Sequence, residues 1–226
     1  LLIVLGNWRN LFSVFSLAIL FLSIVWVVFA RERITPAYQE GISSRVGRAP
    51  LRGVLKRKEF PLVAIAIFGE TIAYSTTSFF LPTYLLEERK MALTTIGFIV
   101  SLMPIGGICS TFSVGFISDR IGLRRPTIWP AGLILPFLYF TLFSPIPVWA
   151  LPVLTFAIGF MGWSVLPALR TIPFELPGIK PSEIAVGQSL IQTISSLSML
   201  GAPAVGYLAE TLGSLGLALR TISIFP

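Results

Sequence analysis

Glu70 is the acidic residue set deepest in an apolar run of this chain, about ten residues into the segment Phe60–Leu86. A charged side chain at mid-membrane depth costs about 2.5–3.5 kcal/mol on insertion scales, so it belongs against a cavity or a partner. Glu70, Tyr74, Thr77, Ser78 and Leu81 follow the i, i+4, i+7, i+8, i+11 spacing of one helical face, flanked by Thr71 and Ser75. Two chemistries fit such a carboxyl: binding of a proton or a cationic group, or structural pairing with a neighbouring helix. Trp163, Ser164 and Arg170 lie along a later apolar run and its polar end. Trp163 there either stacks on a solute or packs as core. Arg170 either snorkels to the interface or binds an anion, and with Glu175 it forms a candidate gate pair. Gln188, Gln192, Ser195 and Ser196 share a face of the next run, and Ser198 adds to its polar side. These groups hydrogen-bond either a solute or a neighbouring helix. A last polar cluster, Gly115-Phe116-Ile117-Ser118-Asp119-Arg120-Ile121-Gly122-Leu123-Arg124-Arg125-Pro126, is a short turn between two apolar runs.

Other chemistry is missing. There is no histidine, a single Cys109, no paired carboxylates and no phosphate-cradling glycine loop. Histidine metal sites, histidine general bases and an intrachain disulfide are therefore excluded within the chain, and neither a metal nor another cofactor is expected. The residues do not read as an enzyme.

The elements that carry these residues are set by composition. Of 226 residues 54% are hydrophobic and 12% charged, whereas soluble domains carry about 25% charged residues. The expected fold is therefore all-α, a polytopic membrane helical bundle. About 20 apolar residues cross the roughly 30 Å hydrocarbon layer. Seven segments approach that length: Asn10–Ala30, Phe60–Leu86, Leu93–Ile117, Pro126–Phe143, Val148–Leu169, Glu183–Ala209 and Gly213–Pro226. The last, about 14 residues or about 21 Å, is too short to span and reads as a truncated helix, or else as a re-entrant segment. Pro104, Gly106, Gly107, Pro167, Gly201 and Pro203 interrupt the later segments; such breaks permit bending, but Gly and Pro are also ordinary in membrane helices, so no single one is taken as a hinge.

The net charge of +7 sits in loops between apolar runs. That is the positive-inside pattern, not a nucleic-acid surface. The loop Arg31–Glu59 holds eight Lys/Arg against three Glu, the turn after Ile117 holds Arg120, Arg124 and Arg125, and the connection 170–183 holds Arg170 and Lys180. The alternate loops are near neutral. Loops 31–59, 118–125 and 170–183 are therefore expected to be cytoplasmic, in a multi-pass protein of the cell membrane. The loop Arg31–Glu59 also reads as a linker. Its basic run Arg52–Lys58 is taken as a topology determinant leading into a surface helix, with phospholipid contact as the alternative. This divides the chain into a last helix of one bundle (1–30), an inter-bundle loop (31–59) and a second bundle (60–226). Leu1 is not an initiator Met, and Leu1–Leu5 read as the tail of an earlier apolar run. The chain is therefore expected to be part of a longer protein.

The turn at 115–126 resembles the signature loop of the major facilitator superfamily. Gly115, Asp119, Arg120, Gly122, Arg124 and Arg125 match it, while Ile117, Ser118 and Leu123 depart from its commonest choices. Gly6-Asn7-Trp8-Arg9, Leu81-Pro82-Thr83-Tyr84-Leu85, Pro173-Phe174-Glu175-Leu176-Pro177 and Gly201-Ala202-Pro203-Ala204-Val205-Gly206 resemble other stretches of that family. The order of segments implies its sixth to eleventh helices and part of the twelfth: a C-terminal six-helix bundle with one preceding helix. The resemblance implies a secondary active transporter, symporter or antiporter, which moves a small organic solute by alternating access and is coupled to protons. It implies a latch at the signature loop, a central path lined by Glu70, Tyr74, Thr77, Trp163, Gln188 and Gln192, and an N-terminal half that supplies the other wall. A membrane receptor or scaffold built on the same fold is the rival reading.

Overall fold

The computed structural model describes residues 8–30, 48–121 and 125–226. Among them the regular elements are helices, and backbone contacts divide the chain into two units, one ending at Arg45 and the other starting at Val46. The first unit holds α1, Trp8–Phe29, whose apolar stretch Phe12–Phe29 is long enough to cross a membrane. Large apolar side chains point outward all around it, Leu17, Phe21, Trp26 and Val27 among them. A helix apolar on every side is at home in lipid or in another core.

The second unit opens with a short basic helix, α2 (Arg48–Lys56), and turns at once into α3 (Glu59–Glu87). Then follow α4 (Leu93–Ile121), α5 (Arg125–Leu142) and α6 (Ala150–Glu175). The chain continues through α7 (Pro181–Leu197), a 3₁₀ turn at Ser198–Leu200, α8 (Gly201–Leu212), α9 (Leu215–Arg220) and a final 3₁₀ turn, Thr221–Ile224. Helices α3, α4 and α6 have the length and apolarity to cross a membrane; the apolar part of α5, Ile128–Leu142, is shorter. Phe60, Ile67, Leu81, Leu135, Leu151 and Ile158 form part of a closed interior, whereas Leu62, Ile65, Phe79, Phe112, Phe137 and Val153 face outward. Apolar residues on both the inside and the outside are what a lipid solvent allows.

Helices α4 and α6 pack most closely. A β-carbon on Gly106 would strike the Phe156 carbonyl, and one on Gly159 would strike the Met103 carbonyl. Small residues at such crossings let two backbones touch, which replaces the hydrophobic drive that lipid removes.

The observed segments differ from the expected ones at four places, of which the simplest is that α4 runs past Ile117 to Ile121. The run Glu183–Ala209 is not one helix, because Ser198–Leu200 tightens into a 3₁₀ turn. Pro203 lacks the N–H that would bond to Met199, and its ring crowds that carbonyl, so the regular ladder fails there. Gly213–Pro226 divides into α9 and a 3₁₀ turn, after Gly213 closes α8 at φ +68° and Ser214 Oγ accepts from the Leu217 amide. Helix α6 runs on past Leu169 to Glu175, with Pro167 and Pro173 inside it, as proline is tolerated where neighbouring helices pack round the freed carbonyls.

Contacts at the two ends of the unit are polar. At the α2 end, Arg57 donates to the Pro177 and Gly178 carbonyls at 3.1 Å each and pairs with Glu183 at 3.7 Å. At the other end, Glu88 Oε1 accepts from Ser214 Oγ at 3.2 Å and from the Gly216 amide at 2.9 Å. There Arg220 Nε donates to the Phe143 carbonyl at 2.9 Å, and Arg89 donates to the carbonyl of Ile146.

Candidate functional site

Helix α3 must bury Glu70 because its neighbours along that side, Ala73, Thr77 and Leu81, turn inward as well. Glu70 is 5% exposed. Its carboxyl lies directly over Gly162 of α6, where a β-carbon would meet Oε1. Neither carboxylate oxygen has a hydrogen-bond partner among the described residues. Beside it stands the Tyr139 hydroxyl of α5, fully buried and also without a hydrogen bond of ordinary geometry. An acid held in an apolar interior with only a poorly placed hydroxyl beside it is costly. It is thereby left able to take a proton or an incoming cationic group.

Glu70 forms the back of a cavity of about 460 Å³. Thr71 and Tyr74 of α3 and Thr111 of α4 continue its wall, Trp163, Leu166, Pro167 and Arg170 come from α6, and Ser195 comes from α7. The Tyr74 and Trp163 rings meet edge to face, with centroids 6.1 Å apart and planes at 69°. Gly107 makes room for this pair, since a β-carbon there would lie 2.9 Å from the Trp163 ring. Thr71 Oγ1 and Ser195 Oγ lie 3.5 Å apart, either able to donate, and join α3 to α7 at the cavity wall.

The two charges of the cavity stand far apart. Glu70 packs at the level of Gly162, and Arg170 is eight residues further along α6. At 1.5 Å rise per residue the separation along the axis is about 12 Å. Trp163 and Tyr74 occupy the acidic end, and Leu166 and Pro167 the interval. Along the cavity an acid with two aromatic rings gives way to an apolar stretch and then to a cation.

Of the residues expected to form the path, the structure brings together Glu70, Tyr74 and Trp163, and it adds the gate candidate Arg170 to the same cavity. Thr77 lies elsewhere: it is fully buried in helix packing, its hydroxyl without a partner among the described residues. Gln188 donates from Nε2 to the backbone carbonyl of Arg170 at 3.0 Å, so its amide ties α7 to α6. Gln192 is exposed, as are Ser78 and Ser196, and Ser196 donates to the Gln192 carbonyl. Ser195 is the member of that polar face that reaches the cavity. Glu175 is exposed at the end of α6, five residues beyond Arg170. On an ideal helix that spacing sets the two about 140° apart.

In the signature turn, α4 ends at Ile121 and α5 begins at Arg125. Gly122, Leu123 and Arg124 lie outside the described residues, as do the side chains of Asp119 and Arg125. Arg120 is exposed, with its guanidinium 5.9 Å from the centre of the Phe116 ring. Tyr139 and Thr111 are site residues that sequence reasoning missed. Tyr139 and Thr141 carry the hydroxyls of an otherwise apolar stretch, Leu135–Leu142, which was the available signal. Thr111 had none, because its hydroxyl bonds back to the Gly107 carbonyl at 2.9 Å like many membrane threonines.

No curated protein matches the chain. Residues 1–214 match the model of the Major Facilitator Superfamily.

Proposed function

From the premise that this chain belongs to the Major Facilitator Superfamily, and so to a membrane transporter, we propose that it forms the C-terminal half of a carrier for a small organic solute. The carrier works by alternating access and draws its free energy from the proton gradient. Residues 60–226 form one wall of the path, the N-terminal half supplies the other, and the loop 31–59 joins them on the cytoplasmic side of the cell membrane. The observation that carries the reading is Glu70: buried, its neighbouring polar group among the described residues the Tyr139 hydroxyl, and open to a cavity lined by Tyr74 and Trp163. In a carrier such a group is loaded from one side and unloaded to the other, by a proton or by a cationic part of the solute. Trp163 and Tyr74 offer ring faces and edges to the solute, Arg170 with Glu175 takes part in closing the cytoplasmic end, and Gly115, Asp119, Arg120, Gly122, Arg124 and Arg125 form the latch between the halves.

The test is flux in proteoliposomes holding the full-length protein, against a mixed panel of small organic solutes and with an imposed proton gradient. Gradient-driven flux that disappears in Glu70→Gln and weakens in Asp119→Asn is the expected result. Normal gradient-driven flux in Glu70→Gln would remove the coupling role. Specific ligand binding without flux in the wild-type protein would favour a receptor on the same fold.

A further inference from the structure

Helix α2 takes no part in the cavity, yet it is fixed on one side and open on the other. On the fixed side Val54 is fully buried and Gly53 rests against the Glu183 side chain. Arg57, in the turn that follows, holds the Pro177 and Gly178 carbonyls and Glu183. On the open side, at about 100° per residue, Leu51, Arg52, Leu55 and Lys56 stand together. All four are exposed, Leu51 by 40% and Leu55 by 56%. Lys58, in the turn, is exposed too.

Depth and charge identify what covers this face. Helix α3 begins at Glu59, three residues after α2 ends, and its outward Leu62 and Ile65 follow immediately. Helix α2 therefore sits where the apolar belt of the bundle gives way to headgroups. From Gly41 to Lys58 the chain carries six Lys/Arg and no acid. Leucines set between unopposed cations at that depth are the composition of an interfacial helix on an anionic leaflet.

We propose that the outer face of α2 binds anionic phospholipid headgroups through Arg52, Lys56 and Lys58, while Leu51 and Leu55 enter the acyl boundary. The lipid then bears on the transport helices, because Gly53 and Arg57 fasten α2 to the link between α6 and α7. Those two helices carry Trp163, Arg170 and Ser195. Anionic lipid on α2 thus acts on the cavity from outside it, whatever solute the cavity takes.

The experiment is amide hydrogen exchange on the full-length protein in nanodiscs of phosphatidylcholine, with and without phosphatidylglycerol. For three cations the preference for the anionic lipid is on the order of a hundredfold. Exchange across Leu51–Lys58 should slow about tenfold or more when phosphatidylglycerol is present, and the difference should shrink in high salt. Arg52→Gln with Lys56→Gln and Lys58→Gln should abolish it, while Arg52→Lys keeps it. Because these cations also orient the chain in the bilayer, the wild-type comparison decides alone if the triple variant fails to insert. Equal exchange in the two membranes overturns the proposal, including the case in which α2 is strongly protected in both because a protein surface covers it.

Discussion

Two glycines three residues apart on α6 should give opposite phenotypes when each is replaced by alanine. A β-carbon on Gly162 meets Glu70 Oε1, the free end of a flexible side chain, whereas one on Gly159 meets the Met103 backbone carbonyl. In Gly162→Ala the carboxyl swings aside by about 1 Å to regain ordinary contact distance, and the helices stay where they are. Stability is then little changed. A misplacement of about 1 Å in a reacting group is worth about a hundredfold in rate, so gradient-driven flux should fall by about that factor. In Gly159→Ala nothing flexible can yield, and α4 and α6 must part. Overpacking of this kind costs about 1–3 kcal/mol, or roughly 2–12 °C in melting temperature for a chain of this size. Gly132→Ala is the control, since nothing lies within 4 Å of a β-carbon there. Thermal unfolding of the purified protein and flux in proteoliposomes separate the two effects. Full flux in a well-folded Gly162→Ala, or equal melting temperatures for Gly159→Ala and Gly132→Ala, would refute the reasoning.

The two polar ends of the unit can be tested in the same preparation. Arg57→Ala removes hydrogen bonds to the Pro177 and Gly178 carbonyls and the contact with Glu183; because Arg57 is partly exposed, the loss should be about 1–2 kcal/mol and appear as a lowered melting temperature and faster exchange at the start of α7. Glu88→Ala frees Ser214 Oγ and the Gly216 amide, so exchange at Leu215–Arg220 should quicken by about tenfold while α3 is unaffected.

The positions and rough limits of α1, α3, α4, α5 and α6 were legible because a membrane imposes one-dimensional constraints. Hydrocarbon thickness sets segment length, and every backbone group must be satisfied within its own helix. Both act along the chain, so Phe60–Leu86 as read in the sequence lies within one residue of α3 at each end. Glu70 stood out for a related reason, since a carboxyl amid apolar neighbours is conspicuous whatever packs around it. Where local chemistry intervened, the limits moved: Pro203 broke the expected helix at Ser198–Leu200, although the proline itself was visible.

Which side of each helix faces inward was not legible. In water an inward face is marked by apolar residues, but here lipid is as apolar as the core, and that contrast is lost. Thr77 and Ser78 are adjacent on the same expected stripe, yet one is fully buried and the other exposed. Ser195 reaches the cavity while Gln192, one turn away, does not. The sequence by itself determined a membrane bundle, its basic and neutral connections and a conspicuous acid. Tertiary structure alone decided that the acid rests on Gly162 beside Tyr139, with Trp163 against Tyr74, because Gly162, Trp163 and Tyr139 belong to helices far from α3 in the chain and meet it only where glycines let the backbones approach.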